Sequence, residues 1–504
     1  MPLNVVKKEI EAEREIGYQY LQVLGRAETL VPGAGREAIE VLLWDASAAI
    51  IRADVQSDRV VLDGTLNCQA VYRQGEEGTL RALSAKSTVS QVTEIPGAQG
   101  GMLSRVQPVV ESVEARYENG HMVFLVGLGL HVRVMKLEPV EVIDEIEGAE
   151  GIEARYAESP LTKLAAEATE TAVLTERVEL PASLDARATL MDWGSVTVDS
   201  SEPDLGGVRV KGRVQIETLI ASGIEGRPGV LVKYPIEFDK LIELPEWLSQ
   251  SACVTPSIRS IRTQLEQPEG EEEGTLMIQA DVHFSIAANL TEKVRALEDA
   301  YGVAGQAVNV ERQELHVCTG AVHLRAGETV RGTVLLEEGA SAVGSVIAVR
   351  VLPNIAEVSS AGGRSHVSGL LDATVLYMSG ASDRPASAHT ELPFEMELPR
   401  ELNDTASVCL SVASAEANAL MSDRLEMKIG LFADCEARLQ GAFTVAGDVR
   451  EAEAEPRRPG YVICWPEAGE DAWAIGRRYG IPESAVAGSE DKEITRGQPV
   501  VLRI

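Results

Sequence analysis

Gly64-Thr65-Leu66-Asn67-Cys68-Gln69-Ala70-Val71-Tyr72 sets apolar residues against polar ones behind a leading glycine. The pattern returns twice, at Gly212-Arg213-Val214-Gln215-Ile216-Glu217-Thr218-Leu219-Ile220 and at Gly369-Leu370-Leu371-Asp372-Ala373-Thr374-Val375-Leu376-Tyr377. Alternation with a period of two marks a half-buried strand. The leading glycines stand 148 and 157 residues apart, a spacing far longer than that of solenoid or propeller repeats. Three whole β domains of one kind are therefore implied, and the glycine is expected to permit a turn or bulge at the strand's entry.

Two further parts accompany each glycine-led strand. Before it comes an apolar stretch: residues 38–44, 186–191 and 329–336. After it comes a long terminal strand: Met122 to Val134, Leu276 to Ile286 and Leu425 to Cys435. These exceed the usual strand length, as in a strand that crosses a sandwich or bends midway, and Gly127, Gly129 and Gly430 would allow the bend. Polar, acidic segments separate the units, at Asp144 to Gly151 and around Glu298 to Gly302. The expected division is 1–150, 151–300 and 301–446 for the β domains, 447–459 for a stiff linker with two prolines, and 460–504 for a separate module. The acidic run Pro268 to Gly274 reads as a solvated hairpin loop.

The composition bounds the function. Over 504 residues, 78 acidic side chains against 46 basic ones leave a net charge of −32. Such a chain repels phosphate backbones and anionic bilayers, so nucleic acid and membrane surfaces are poor partners. Aromatic residues make up 4%, so the cores are expected to be aliphatic. The N-terminal stretch lacks the apolar run of a signal peptide, and no segment is long and apolar enough to span a membrane; a cytoplasmic location is expected. The six cysteines (68, 253, 318, 409, 435 and 464) form no CxxC pair and read as buried thiols.

No phosphate-binding, zinc-protease or nucleophile-elbow motif is present. The nearest approach to a ligand cluster, His316-Val317-Cys318 with His323, offers two ligands on one strand face, which makes a poor metal site. His131 and His283 read as half-exposed strand positions. No enzyme, cofactor or metal is expected.

The C-terminal module changes style. Tyr461 to Trp465 reads as a strand, and Asp471 can cap a helix whose apolar residues include Ala472, Ile475 and Tyr479. Gly480 and Pro482 stop that helix, a short second helix covers 482–487, and Pro499 to Ile504 closes as a strand. Trp473 and Tyr479 are expected in the core of this small domain, with Trp465 as an exposed contact. Gly469, Trp473, Ile475, Tyr479-Gly480, Ile494 and Gly497-Gln498 follow the pattern of a LysM domain, which this βααβ segment resembles. Its turn reads Gly469-Glu470-Asp471 instead of Gly-Asp-Thr, and Ala472 stands at a leucine position. Since that turn lines the sugar groove of glycan-binding LysM domains, these departures count against glycan binding.

Repeated β units ahead of one LysM-like tail resemble the SPOCS-domain proteins of spore-forming Firmicutes, closest in layout to the SipL type. The entry Glu15-Ile16-Gly17-Tyr18-Gln19-Tyr20-Leu21-Gln22-Val23 is similar to that family's unit boundary. The resemblance implies a mainly β fold of three β-sandwich-like SPOCS domains followed by the small α+β domain. It also implies a non-catalytic coat morphogenetic adaptor in the mother-cell cytoplasm, at the forespore surface and spore coat. There the tail would bind the coat-polymerising ATPase, with Trp465, Gly469, Glu470, Asp471 and Ala472 as the candidate partner- or glycan-binding residues, and the protein would also engage other coat proteins. Separate modules engaging one lattice gain avidity. The main alternative is a protein whose LysM-like tail binds peptidoglycan or N-acetylglucosamine polymers while the β domains act as scaffold. A third reading is a hydrolase with its site between β domains.

Overall fold

Antiparallel ladders organise nearly the whole chain, as the alternating pattern requires. The computed structural model describes residues 3–33, 38–75, 79–148, 150–245, 252–266, 274–303, 305–336, 340–403, 406–453, 460–467, 470–486 and 499–503. The acidic run at 268–273 lies outside them.

The first unit holds β1 (Asn4–Leu30), β2 (Ile39–Gln56), β3 (Arg59–Gln74), β4 (Leu80–Glu94), β5 (Leu103–Glu118) and β6 (His121–Glu147). They form two three-stranded sheets, ordered β1-β6-β5 and β2-β3-β4. The second unit repeats this with β7 (Ile152–Leu180), β8 (Ala186–Asp204), β9 (Gly207–Ile224), β10 (Arg227–Glu243), β11 (Ala252–Glu266) and β12 (Gly274–Gly302). The third has β13 (Val308–Leu335), β14 (Val343–Ala361), β15 (Arg364–Ser379), β16 (Pro385–Leu398), β17 (Ser407–Met421) and β18 (Arg424–Glu451). Their sheets keep the order: β7-β12-β11 with β8-β9-β10, then β13-β18-β17 with β14-β15-β16. Every glycine-led strand (β3, β9, β15) is the centre of one sheet, and every long terminal strand (β6, β12, β18) is the centre of the other. Central strands have a neighbour on both sides and carry the most regular alternation, which is why these two parts stand out in the sequence. Aliphatic side chains from both sheets fill each sandwich, for example Leu66 and Phe124 in the first, Ile216 and Phe284 in the second, Leu371 and Met427 in the third.

The repeated glycine answers to a bulge in the neighbouring strand. Gly64, Gly212 and Gly369 pair with Ile50, Val198 and Ile355. The next residue of that neighbour, Ile51, Asp199 or Ala356, is extra to the ladder. A bulge pushes its strand out of register, and here the displaced carbonyl takes the space of a side chain. A Cβ on the glycine would stand 2.8 Å from the Ala49 oxygen, 2.1 Å from Thr197 O and 1.9 Å from Asn354 O. The glycine therefore lies inside its strand, not at the entry as expected from sequence.

A second repeated bulge joins the units. Leu42, Leu190 and Ile347 are each extra to their ladder, and a bulge re-aims its side chain. All three enter one cluster drawn from every unit, with Val71, Leu80, Met191, Trp193, Leu219 and Leu376.

The long central strands exceed the sandwich. β6 pairs with β5 only over His121–Met135, and its remainder pairs with β1 alone; β12 and β18 behave likewise. Each unit thus extends a two-stranded arm, and the expected glycines at 127, 129 and 430 lie before the departure. The ladder instead shifts at an extra residue, Ile16, Ala165 or Thr319. The three arms pack on one another through Ile10 and Val142, Leu161 and Val294, and Phe443 and Val445, then through Ile143, Leu297 and Val449. Fully burying an aliphatic side chain is worth roughly 1.5–3 kcal/mol, against about 0–1 kcal/mol for an exposed ion pair. Apolar contact therefore holds the three units together.

One buried ion pair also sits where they meet. Arg438 Nη1 lies 3.2 Å from Glu13 Oε1, and both are almost completely buried. Glu13 Oε2 accepts the Leu164 amide at 2.7 Å, so one carboxylate ties the first unit to the second and third. Nearby, Arg105 pairs with Glu167 at 2.8 Å and with Glu436.

Three sequence expectations need correction. Thr329 to Leu335 is the end of β13 and pairs with β18; the counterpart of β2 and β8 is β14. An alternating stretch has the same look in either sheet, and only its ladder partner distinguishes them. The segment Glu298 to Gly302, expected as a polar, acidic segment between units, is the end of β12, with Asp299 and Ala300 buried. Residues 447–451, expected in the linker, complete β18 by pairing with Val308 to Glu311.

Candidate interaction site on the C-terminal unit

The C-terminal segment folds as β19 (Tyr461–Cys464), α1 (Ala472–Tyr479), α2 (Glu483–Val486) and β20 (Val500–Arg503). β19 and β20 pair antiparallel, with Ile463 opposite Val501. Asp471 caps α1 by accepting the Ala474 amide at 2.9 Å, and Gly480 ends it at φ 60°, a left-handed conformation that glycine adopts without cost. Cys464, Ile475, Ile481, Val486 and Leu502 form the small core, with Tyr479 packed against it.

Trp473 is not in that core. Its ring packs edge-on against Tyr301 at 4.7 Å between centroids, in a cluster completed by Val303. Its indole donates to Asp299 Oδ2 at 2.8 Å. The same carboxylate oxygen takes Arg477 at 2.6 Å and also Arg312. A buried carboxylate is tolerated only when paired in this way. Tyr301 Oη donates to the Ile481 carbonyl at 3.1 Å and fills the space over Gly476, where a Cβ would be 2.4 Å away. α1 is thus docked on the end of β12.

The candidate contact residues separate into two groups. Glu470, Asp471 and Ala472 lead into α1. Glu470 accepts the Glu467 amide at 3.1 Å and pairs with Arg478. Asp471 Oδ2 pairs with Arg155 of β7 at 2.9 Å. The Ala474 amide, foremost, and then Arg155 hold the Asp471 carboxyl below its usual range, against the effect of its partial burial. Ala472 is half-buried. Trp465 stands apart, 59% exposed, following Tyr461 and Ile463 along the outer face of β19. Gly469, like Ile494, Gly497 and Gln498, lies outside the described residues.

Sequence reasoning missed Arg155, Asp299, Tyr301 and Arg477. Asp299-Ala300-Tyr301 has the look of a polar junction, and its one signal was an aromatic residue embedded in an acidic stretch. Other chemistry-bearing positions are accounted for locally. His131 Nδ1 bonds Tyr18 Oη at 2.7 Å, and His283 bonds Thr171 at 3.3 Å. His316 is exposed while Cys318 is buried and donates to the Gly320 carbonyl at 3.3 Å. Among the described residues, no group of three or more His, Cys, Asp or Glu is arranged to hold a metal ion.

Comparison with curated proteins and with solved structures finds no match. A family model described as SipL, SPOCS domain, matches residues 37–118, which cover the whole β2-β3-β4 sheet and continue through β5. The order of strands in that stretch, two ladders around a glycine-led centre and then the outer strand of the facing sheet, recurs in the second and third units, and over residues 37–118 the chain is similar to the SipL SPOCS domain.

Proposed function

We propose that this chain is a non-catalytic spore coat morphogenetic adaptor of the SipL kind. The SPOCS match at residues 37–118 carries the reading. In it, the three-unit body acts as a rigid platform at the forespore surface, in the mother-cell cytoplasm, and engages other coat proteins. The tail recruits the body by binding the coat-polymerising ATPase. Two features support this division of labour. The body's units are bound to one another through buried apolar clusters, which suits a scaffold. The tail keeps Tyr461, Ile463, Trp465 and Val501 exposed, and aromatic anchors are the usual carriers of binding energy.

A fluorescent fusion followed in sporulating cells of the source organism, with and without residues 460–504, tests the proposal. A ring around the forespore that disperses when the tail is removed is the expected result. Diffuse signal from both forms would overturn the adaptor reading, and a tail-dependent signal on the vegetative wall would transfer the tail to glycan binding.

A further inference from the structure

The C-terminal unit takes part in two apolar clusters that share no residue. One is its own core of Cys464, Ile475, Ile481, Val486 and Leu502. The other joins Trp473 to Tyr301 and Val303 of the second unit. The βααβ fold therefore has its core without the body, and its seat on the body is a separate dock. Domains joined by a small contact move relative to one another unless the shared surface is large and apolar. Here the centre of the contact is polar. Asp299, 1% exposed, accepts the Trp473 indole at 2.8 Å and Arg477 at 2.6 Å on one oxygen, and Tyr301 donates to the Ile481 carbonyl at 3.1 Å. Arg155 and Asp471 pair at 2.9 Å on the rim, both about half exposed.

The dock has one address per chain. Ile146, Ala300 and Val449 occupy matching places at the ends of the three arms, within one cluster. Asp299 and Tyr301 flank Ala300, whereas Glu145 and Glu147 flank Ile146, and Asp448 and Arg450 flank Val449. Neither of the latter pairs joins a carboxylate to a phenol. The face of α1 that carries Trp473 and Arg477 thus fits the end of β12 and not its two counterparts.

The connector to the tail is short. Six residues, Ala454 to Pro459, precede Gly460, and two of them are prolines. Proline fixes its own φ, and short hinges under strain invite exchange of a terminal element between copies.

We propose that the chain forms a two-fold dimer by exchanging tails, with α1 of each copy docked on the end of β12 of the other. Each contact of the dock is kept: Asp299 of one copy takes Trp473 and Arg477 of the other copy. One tail and one address per chain mean that two docks close the assembly and leave no site unfilled. A net charge of −32 on each chain keeps the bodies apart, so the tails are the link. Such a dimer carries two bodies and two tails, and a bivalent unit gains avidity for any repeating surface.

Light scattering on the full chain, after size-exclusion chromatography, tests this. Wild-type protein loaded at about 100 µM, below the effective concentration of a tethered domain, should contain dimer. Inserting about ten Gly/Ser residues after Pro459 should return it to monomer, because a long flexible connector lets the tail reach its own site. Asp299→Ala and Trp473→Ala should each be monomeric alone. An equimolar mixture of the two should give a dimer held by one dock, since one variant supplies an intact Trp473 and the other an intact Asp299. A wild type and a mixture that both stay monomeric overturn the proposal. So does a dimer that persists in Asp299→Ala or is unaffected by the longer connector, the latter a test that removes no contact from the fold.

Discussion

At Gly212 a single methyl group would stand 2.1 Å from the carbonyl oxygen of Thr197, with the Phe238 ring at 2.7 Å on the other side. Backbone cannot swing away as a side chain can, so relief requires opening the β8–β9 ladder. Gly212→Ala is expected to destabilise the chain by roughly 3 kcal/mol. Thermal unfolding would register this as a lower melting temperature, and an unchanged one would show that the bulge relaxes freely. The recurrence of the glycine is visible in the sequence, since three copies share one pattern. Its cause is not, because the residue that requires it, Asp199, is an ordinary surface aspartate until the ladder register makes it the extra member of a bulge.

Among the elements, α1 shows the clearest division between local and tertiary control. Asp471 as cap, Ile475 on the inner face and Gly480 at the end are local signals, and all three act as the spacing suggests. The face that Trp473 occupies is decided by Asp299 and Tyr301, residues far away in the chain. Asp299→Ala would leave Arg312, Arg477 and the Trp473 indole without their shared acceptor. Breaking a buried ion pair from one side costs about 3–5 kcal/mol, enough to undock α1 while the body stays folded. Amide hydrogen exchange should then speed up in residues 472–479 with the protection of β6 and β9 unchanged. Equal protection of α1 in both proteins would mean that the tail is held by other contacts. The same limit explains the misplaced stretch at Thr329 to Leu335: alternation identifies a strand, whereas the sheet it joins depends on a partner about a hundred residues away.

Across the whole molecule, the junction of the three arms is the feature on which the architecture depends. Arg438 and Glu13 come from the two ends of the body and meet with almost no exposure to water. Arg438→Met alone should cost about 3–5 kcal/mol by leaving the Glu13 carboxylate buried and unpaired, and adding Glu13→Leu should recover part of that loss. A double-mutant cycle in denaturant would measure the coupling, and a coupling near zero would remove the pair from the account of how the units are held. By itself, the amino-acid sequence determined that the chain is built of strands, that a glycine-led unit occurs three times, and that a βααβ segment follows. Those properties depend on alternation, spacing and capping, which act over a few residues. Only the tertiary structure decided which strands share a sheet, how three arms close on one another, where Trp473 docks, and that Arg438 meets Glu13. Each of these is a contact between residues remote in the chain, and ladder register and packing, not local preference, bring them together.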